Sequence, residues 1–171
     1  AKLVIKDAKM NYSSTNMGHF HNYAPKFCCP VELSAVEFNN AICVSGVKAV
    51  LNNVTINESM ADHYALWIAS GSDVTLENCQ INATATTGRA IKIADEDAAE
   101  EMTNLSLKNV VVKSGKKAAV LVSTAYGAEI NVESINIDNV VADPVNAVWV
   151  DEDYASYFDT VVVTGASKVQ E

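Results

Sequence analysis

The sequence lacks a long apolar run and is short of aromatic and positively charged side chains. No run of about eighteen apolar residues occurs, so no segment is expected to span a membrane as a helix. Lysine and arginine total 12 against 21 aspartates and glutamates, which gives a formal charge of −9. Because this mean field repels phosphate backbones and anionic membranes, nucleic acid is not expected as a partner.

The composition is that of a folded β-protein. Apolar residues form 49% of the 171 residues, which excludes disorder and allows one substantial domain. Aromatics form only 7%, whereas valine, isoleucine, alanine, asparagine, threonine and serine are abundant. This mixture favours strands and polar turns over helices. A strand pattern begins directly at Ala1, which favours a mature chain or an excised domain.

A two-part pattern recurs along almost the whole chain. Both parts alternate apolar and other residues with period two, which is typical of strands with one buried face. The clearest copy is Leu105-x-Leu107-x-Asn109-Val110-x-Val112, followed after a polar turn by Ala119-Val120-Leu121-Val122.

The copies have the spacing of a solenoid. The first part begins at residues 3, 49, 74, 105, 130 and 161, so from residue 49 onward the spacings alternate between 25 and 31 residues. Strands at such a period, without a helix-length segment, predict about six stacked coils with three short strands each. Leucine-rich repeats are disfavoured because Asn78 and Asn109 follow the preceding leucine by two residues rather than three.

The fifth position of the first part is a predicted turn. Turn-forming residues occupy it in every copy: Asp7, Asn53, Asn78, Asn109, Ser134 and Gly165. Asparagine tolerates the left-handed backbone conformation and forms hydrogen bonds along a stack of identical turns. With its stacked aliphatics, the chain resembles the right-handed parallel β-helices of the pectin-lyase-like superfamily, including bacterial cell-surface, adhesin-like proteins.

The resemblance implies an all-β, right-handed parallel β-helix forming a single domain over residues 1–171. It covers nearly the whole chain, but its motifs are structural and are shared by many functions. A loop excursion is expected at 11–40, either packed on the solenoid or carrying function, and 36–38 within it are able to add a strand. His19, His21 and the adjacent Cys28 and Cys29 offer metal ligands there, although adjacent cysteines suit one tetrahedral ion poorly.

A ligand-binding face is predicted on the second-part strands. Their third positions should point outward, in one column: Cys43, Trp67, Lys92, Leu121 and Trp149. Trp67 and Trp149 would lie three rungs, or roughly 14 Å, apart. Exposed apolar strips mark partners or ligands, and indole faces suit sugar rings, so Trp67, Lys92, Trp149 and nearby Arg89 are the candidate binding residues. The alternative is that the acidic turns or the 11–40 excursion cover the tryptophans.

Two acidic turns follow second-part strands two coils apart. They contain Asp95 and Asp97 in one turn and Asp151 and Asp153 in the other. Carboxylates are calcium ligands, so these four residues are the candidate calcium site, although no D-x-D-x-D-G loop is present. The alternative is a one-turn helix capped by aspartate. No other cofactor is expected.

Enzyme motifs are incomplete. A single arginine, Arg89, excludes the R-x-P-x-x-R motif of pectate lyases. Residues 88–92, GRAIK, faintly resemble the R-I-K segment of polygalacturonases, but out of register by one residue and without the Asp-Asp and Gly-His-Gly motifs. The pair Asp62-His63 has no nucleophile elbow beside it. No dinucleotide-binding or phosphate-binding motif occurs.

The first hypothesis is therefore a non-enzymatic, bacterial surface or secreted protein, adhesin-like, that binds a glycan or a surface protein. The alternatives are a polysaccharide lyase or glycoside hydrolase acting on an acidic polysaccharide, and a structural spacer. An extracellular or cell-surface location is expected. The incomplete coil at 161–171 leaves a sheet edge through which an end-to-end dimer is able to form.

Overall fold

The computed structural model describes residues 1–11, 25–61, 63–69, 71–85, 88–94, 102–114, 119–123, 132–143, 148–150, 162–164 and 168–170. All regular secondary structure in these ranges is β, in the following strands: β1 (Leu3–Met10), β2 (Lys26–Phe27), β3 (Val31–Phe38), β4 (Ile42–Val44), β5 (Lys48–Asn52), β6 (Thr55–Glu58), β7 (Tyr64–Ile68), β8 (Asp73–Glu77), β9 (Gln80–Ala83), β10 (Arg89–Ile93), β11 (Thr103–Ser114), β12 (Val120–Val122), β13 (Val132–Asp143), β14 (Val148–Val150), β15 (Val162–Thr164) and β16 (Lys168–Gln170).

The strands form two parallel sheets. A seven-stranded sheet, here called the second sheet, runs β16-β14-β12-β10-β7-β4-β2, and a nine-stranded first sheet contains the remaining strands. Neighbours in each sheet come from successive coils, so the chain is a β-solenoid, as the sequence predicts. Within the described ranges the solenoid amounts to about four turns rather than the six that the sequence predicts. The strands at the two ends of the solenoid are short: β2 has two residues, and β15 and β16 have three each.

The first part of one coil, strand β3, lies within the predicted excursion at 11–40. Strand β3 is a further copy of the first part, and it pairs with β1 on one side and with β5 and β6 on the other. The sequence pattern is hard to see here because Ala35, rather than asparagine, adopts the turn conformation, with φ at 53°. The excursion is therefore shorter than predicted, and residues 12–24 of it lie outside the described residues.

A second difference concerns the register of the copy predicted at 130. Leu105 pairs with Ile135 and not with residue 130, and Asn139 rather than Ser134 has the turn conformation, with φ at 52°. Ile135 in turn pairs with Val163, so the next copy begins there and not at 161. Both registers place aliphatic residues at alternating positions, so alternation alone does not choose between them.

The asparagine turns are confirmed where they are described. Positive φ occurs at Asp7 (50°), Asn53 (53°), Asn78 (55°) and Asn109 (52°). The Asn109 side-chain amide donates to Oδ1 of Asn78 at 3.2 Å, and that of Asn139 donates to Oδ1 of Asn109 at 2.8 Å. These turns bend the first sheet between the two arms of each coil, and the amide ladder links one bend to the next.

Asn109→Ala is expected to reduce the free energy of unfolding by about 1–3 kcal/mol. The left-handed conformation costs alanine roughly 1–2 kcal/mol, whereas asparagine tolerates it, and the ladder hydrogen bonds of the Asn109 amide are lost as well. Asn109→Gly also loses the amide, but glycine adopts the left-handed conformation without strain. Its loss of stability should therefore be smaller than that of Asn109→Ala. Urea unfolding measures both, with Asn52→Ala, at an exposed strand position, as the control. Equal stability of Asn109→Ala and the parent would contradict this role of the turn.

The core consists of aliphatic columns that run along the solenoid. Each column takes one residue per coil from equivalent positions, so every side chain packs on the coil before and the coil after. The first sheet contributes Leu33, Leu51, Leu76, Leu107 and Ile137, and the second contributes Ile42, Leu66, Ile91, Val120 and Val148. This core holds the two sheets in a fixed relation and leaves alternate side chains on their outer faces.

Candidate functional site

The candidate site lies on the outer face of the second sheet, where β7 and β10 are neighbours. In their register Arg89 is opposite Tyr64, and Lys92 is opposite Trp67. We call these four residues the cation–aromatic cluster. Three of them are candidate binding residues from the sequence, and the structure brings those three together. The fourth, Tyr64, is not singled out by the sequence pattern, because it lies at the start of the strand, before the apolar repeat begins.

Alternation along β7 explains the direction of Trp67, because its neighbours Leu66 and Ile68 belong to the main core and Trp67 to a separate apolar cluster. Tyr64 belongs to the same separate cluster although it lies two residues before Leu66, and Ala65 belongs to the main core, so the alternation breaks at the start of the strand. That second cluster consists of Ala41, Cys43, Tyr64, Trp67, Ala69, Ala94 and Leu121, with Met60 packed against it. Apart from Tyr64, the members of this second cluster lie at the alternate positions that period-two alternation directs to the outer face.

The predicted column is present in the backbone register. Cys43 is opposite Trp67, Lys92 is opposite Leu121, and Leu121 is opposite Trp149. Trp149 therefore lies two rungs beyond Lys92, as expected, but its side chain is outside the described residues.

The predicted exposure of this column is wrong where the side chains are described. Trp67 is only 4% exposed and Lys92 only 6% exposed, and Cys43 and Leu121 are also buried. Neighbouring side chains account for part of this burial, because the Trp67 ring packs edge-on against Tyr64 with centroids 5.6 Å apart and an interplanar angle of 76°. Alternation determines the direction of a side chain, but not what covers it.

Both cations contact aromatic faces. Lys92 Nζ lies 4.6 Å from the centroids of both the Tyr64 and the Trp67 rings, and Arg89 Cζ lies 5.3 Å from the Tyr64 centroid. A guanidinium nitrogen of Arg89 also donates a hydrogen bond to the Tyr64 hydroxyl. Cation–π contacts are stronger when water is excluded, so the buried ammonium holds the two rings in place.

Arg89 is the member of the cluster that reaches toward solvent. It is half-buried, and no carboxylate of the described residues forms an ion pair with it. On the first sheet, by contrast, lysines pair with acids: Lys2 with Glu32, Lys9 with Glu37, Lys48 with Asp73, and Lys108 with Glu77. A guanidinium has five N–H donors, and the Tyr64 hydroxyl uses only part of this capacity.

The buried carboxylate of Glu58 stabilises the corner between β6 and β7, beside the cation–aromatic cluster. Glu58 is 1% exposed; its Oε2 accepts from the Ala41 N–H at 3.0 Å, and its Oε1 accepts from the Met60 N–H at 2.7 Å. His63 Nδ1 lies 3.9 Å from Oε2, and the His63 carbonyl accepts from the Arg89 N–H at 2.9 Å. Glu58 thus joins the coil containing Ala41 to the corner from which β7 begins. The sequence signal for it is a lone glutamate at an inward position of β6.

The proposed metal ligands are mostly untested by this geometry. Asp95, Asp97, Asp151 and Asp153 lie outside the described residues, as do His19, His21 and Asp62, so the calcium site stays a prediction. Within the described ranges, no three His, Cys, Asp or Glu side chains are grouped to hold a metal ion.

The cysteines are all free thiols. Cys28 and Cys29 are exposed, and Cys43 and Cys79 are buried. Burial raises the pKa of the Cys79 thiol, so this residue stays neutral and packs as a small apolar side chain.

No protein-family model matches the chain, and no curated protein or solved structure is detectably similar to it. No helix in the described ranges is long and apolar enough to cross a membrane. The geometry of the cluster is therefore the basis for a functional assignment.

Proposed function

We propose that the chain is a non-enzymatic, adhesin-like binding module that binds a glycan beside the cation–aromatic cluster. The observation that carries the proposal is Arg89: a half-buried guanidinium, oriented by an aromatic ring and a hydroxyl, without a carboxylate partner among the described residues. In a chain of charge −9, such a cation is a local positive site. Its remaining donors suit the hydroxyl, carboxylate or sulfate oxygens of a sugar.

The buried members of the cluster act as the support of this site. Trp67 and Lys92 are too well covered to stack on a ligand, so their role is to hold the Tyr64 ring beneath Arg89. A binding group held by packed neighbours loses little conformational entropy when a ligand binds. Trp149, two rungs beyond Lys92, is proposed to extend the binding face along the solenoid.

The proposal includes the setting of the module. We infer a right-handed solenoid of the pectin-lyase-like type, displayed on or secreted from a bacterial cell. Support comes from the parallel coils, the asparagine turns and the aliphatic columns. A calcium ion held by Asp95, Asp97, Asp151 and Asp153 is part of the same proposal, and surface proteins are the second class of ligand.

A glycan array with and without calcium tests the proposal. Arg89→Gln is expected to weaken binding to the best glycan by at least about tenfold, because charge-assisted hydrogen bonds to the sugar are lost. Tyr64→Phe keeps the ring but frees the guanidinium, so a smaller loss is expected. Lys108→Gln removes one positive charge from an exposed position on the first sheet and should leave binding unchanged.

Two results would contradict the proposal. One is an array on which the parent protein binds no glycan in either condition. The other is unchanged binding by Arg89→Gln when circular dichroism shows the fold intact, which would place the ligand elsewhere.

The alternative function is a lyase or hydrolase acting on an acidic polysaccharide. The observation that favours it is the hydrogen bond between Arg89 and Tyr64, because a phenol is able to act as an acid or base beside a guanidinium that binds a carboxylate. Incubation with polyuronates, followed by an assay for new reducing ends, tests it. Product that appears with the parent protein and disappears with Tyr64→Phe would replace the binding proposal with this one.

A further inference from the structure

Strand β1 leaves one end of the hydrophobic core partly open. Its inward side chains are Leu3, Ile5, Ala8 and Met10, and they pack on Val31, Leu33, Val36 and Phe38 of β3. The β3 residues are almost fully buried, whereas Leu3 is 40% exposed and Ile5, Ala8 and Met10 are half-buried. The outward Val4 is also 45% exposed. The rung formed by β1 thus presents apolar surface to solvent.

The backbone of β1 is open on the same side. Among the described strands it pairs with β3 alone, so an eight-residue edge has N–H and C=O groups without sheet partners from those strands. Long edges with apolar surface are sites at which another strand adds to the sheet.

The positions of the inward side chains in β1 indicate which kind of strand suits this edge. Asp7 has a positive φ of 50°, and this bend shifts the alternation, so that positions 3, 5, 8 and 10 all face inward. These positions are symmetric about the peptide bond between Lys6 and Asp7. A two-fold axis at this bend would therefore pair β1 with an antiparallel β1 and keep every inward residue facing inward.

We propose that β1 is the interface of a two-fold dimer, in which a second copy of the chain adds its own β1 antiparallel to this one. Leu3 then lies opposite Met10 of the second copy, and Ile5 lies opposite its Ala8, so the two cores become continuous. The interface is isologous, and each contact occurs twice.

Charge complementarity favours β1 of a second copy as the strand that pairs with this edge. Lys2 and Lys9 already pair with Glu32 and Glu37 of β3, but Lys6 has no ion pair among the described residues. In the antiparallel register Lys6 of each copy lies opposite Asp7 of the other. Directly opposed side chains in an antiparallel pair are close enough for opposite charges to stabilise it.

Sedimentation equilibrium of the 171-residue protein tests the interface. We expect a mass twice the 18.3 kDa of one chain, with dissociation on dilution. Lys6→Glu places one carboxylate opposite Asp7 at each of the two contacts, so the dissociation constant should rise at least about tenfold. Asp7→Lys should do the same by opposing two ammonium groups. An equimolar mixture of the two variants restores both opposite-charge contacts and should therefore dimerise.

Lys113→Glu makes the same charge change at an exposed strand residue away from β1 and should leave the dimer intact. A monomeric parent protein at all concentrations would overturn the proposal. So would a dimer that neither charge reversal weakens, because the interface would then lie elsewhere. Masses that grow beyond two chains would indicate head-to-tail association, which this two-fold contact does not allow.

Discussion

Phe38→Ala is expected to lower the free energy of unfolding by about 3–5 kcal/mol. Phe38 has no exposed surface, and its ring packs edge-on against Phe27, with centroids 6.4 Å apart. It is opposite Met10 of the preceding coil and Ile56 of the following one. Truncation therefore leaves a cavity that touches three strands of the first sheet and β2 of the second.

Urea unfolding followed by circular dichroism measures this loss. Phe38→Leu keeps most of the volume and should cost less than about half as much. Val111→Ala removes an aliphatic group from an exposed position and should have little effect. If Phe38→Ala unfolds within about 1 kcal/mol of the parent, the coil at 31–44 is not part of the cooperative core.

Glu58→Ala is expected to destabilise the protein by about 2–4 kcal/mol. The substitution removes the carboxylate acceptor of the part-buried Met60 N–H, at a cost of about 1–3 kcal/mol, and one of the two acceptors of the buried Ala41 N–H, which also donates to Oδ1 of Asn40. It also removes the acid beside His63 and so disturbs the corner that precedes Tyr64.

The matched variants separate charge from hydrogen bonding. Glu58→Gln retains one acceptor oxygen, so it should lose less than Glu58→Ala. Glu37→Ala removes an exposed ion pair with Lys9 and should cost no more than about 1 kcal/mol. Equal small losses for Glu58→Ala and Glu37→Ala, measured by thermal or urea unfolding, would rule out a structural role for the buried carboxylate.

The class of fold follows from local features of the sequence. Alternation requires strands with one buried face, and asparagine at the bend stacks well only on another bend of the same kind. Asn78 and Asn109 are sufficient to predict parallel coils. By contrast, Ala35 adopts the same conformation without any side-chain signal, because neighbouring coils impose it, and the coil at 31–44 is therefore missed.

The candidate site is less predictable for a physical reason. The alternation of side chains correctly predicts that Trp67 and Lys92 point outward, and the repeat spacing correctly predicts that they lie on adjacent rungs. Exposure, however, depends on contacts that alternation does not identify: Trp67 packs on Tyr64 of its own strand and on Lys92 of the next rung. Tyr64 joins the site through a cross-rung pairing that only the register of β7 and β10 reveals.

The parallel pairing of successive coils has a mechanical consequence. Hydrogen bonds between neighbouring coils run along the solenoid axis, so a force that pulls the two ends apart loads the rungs in series. The hydrogen bonds between coils then break one rung at a time, and each rupture lengthens the chain by only one coil. A force applied across the axis instead loads many hydrogen bonds together in shear. The direction of pulling therefore determines how much tension the protein resists before it extends.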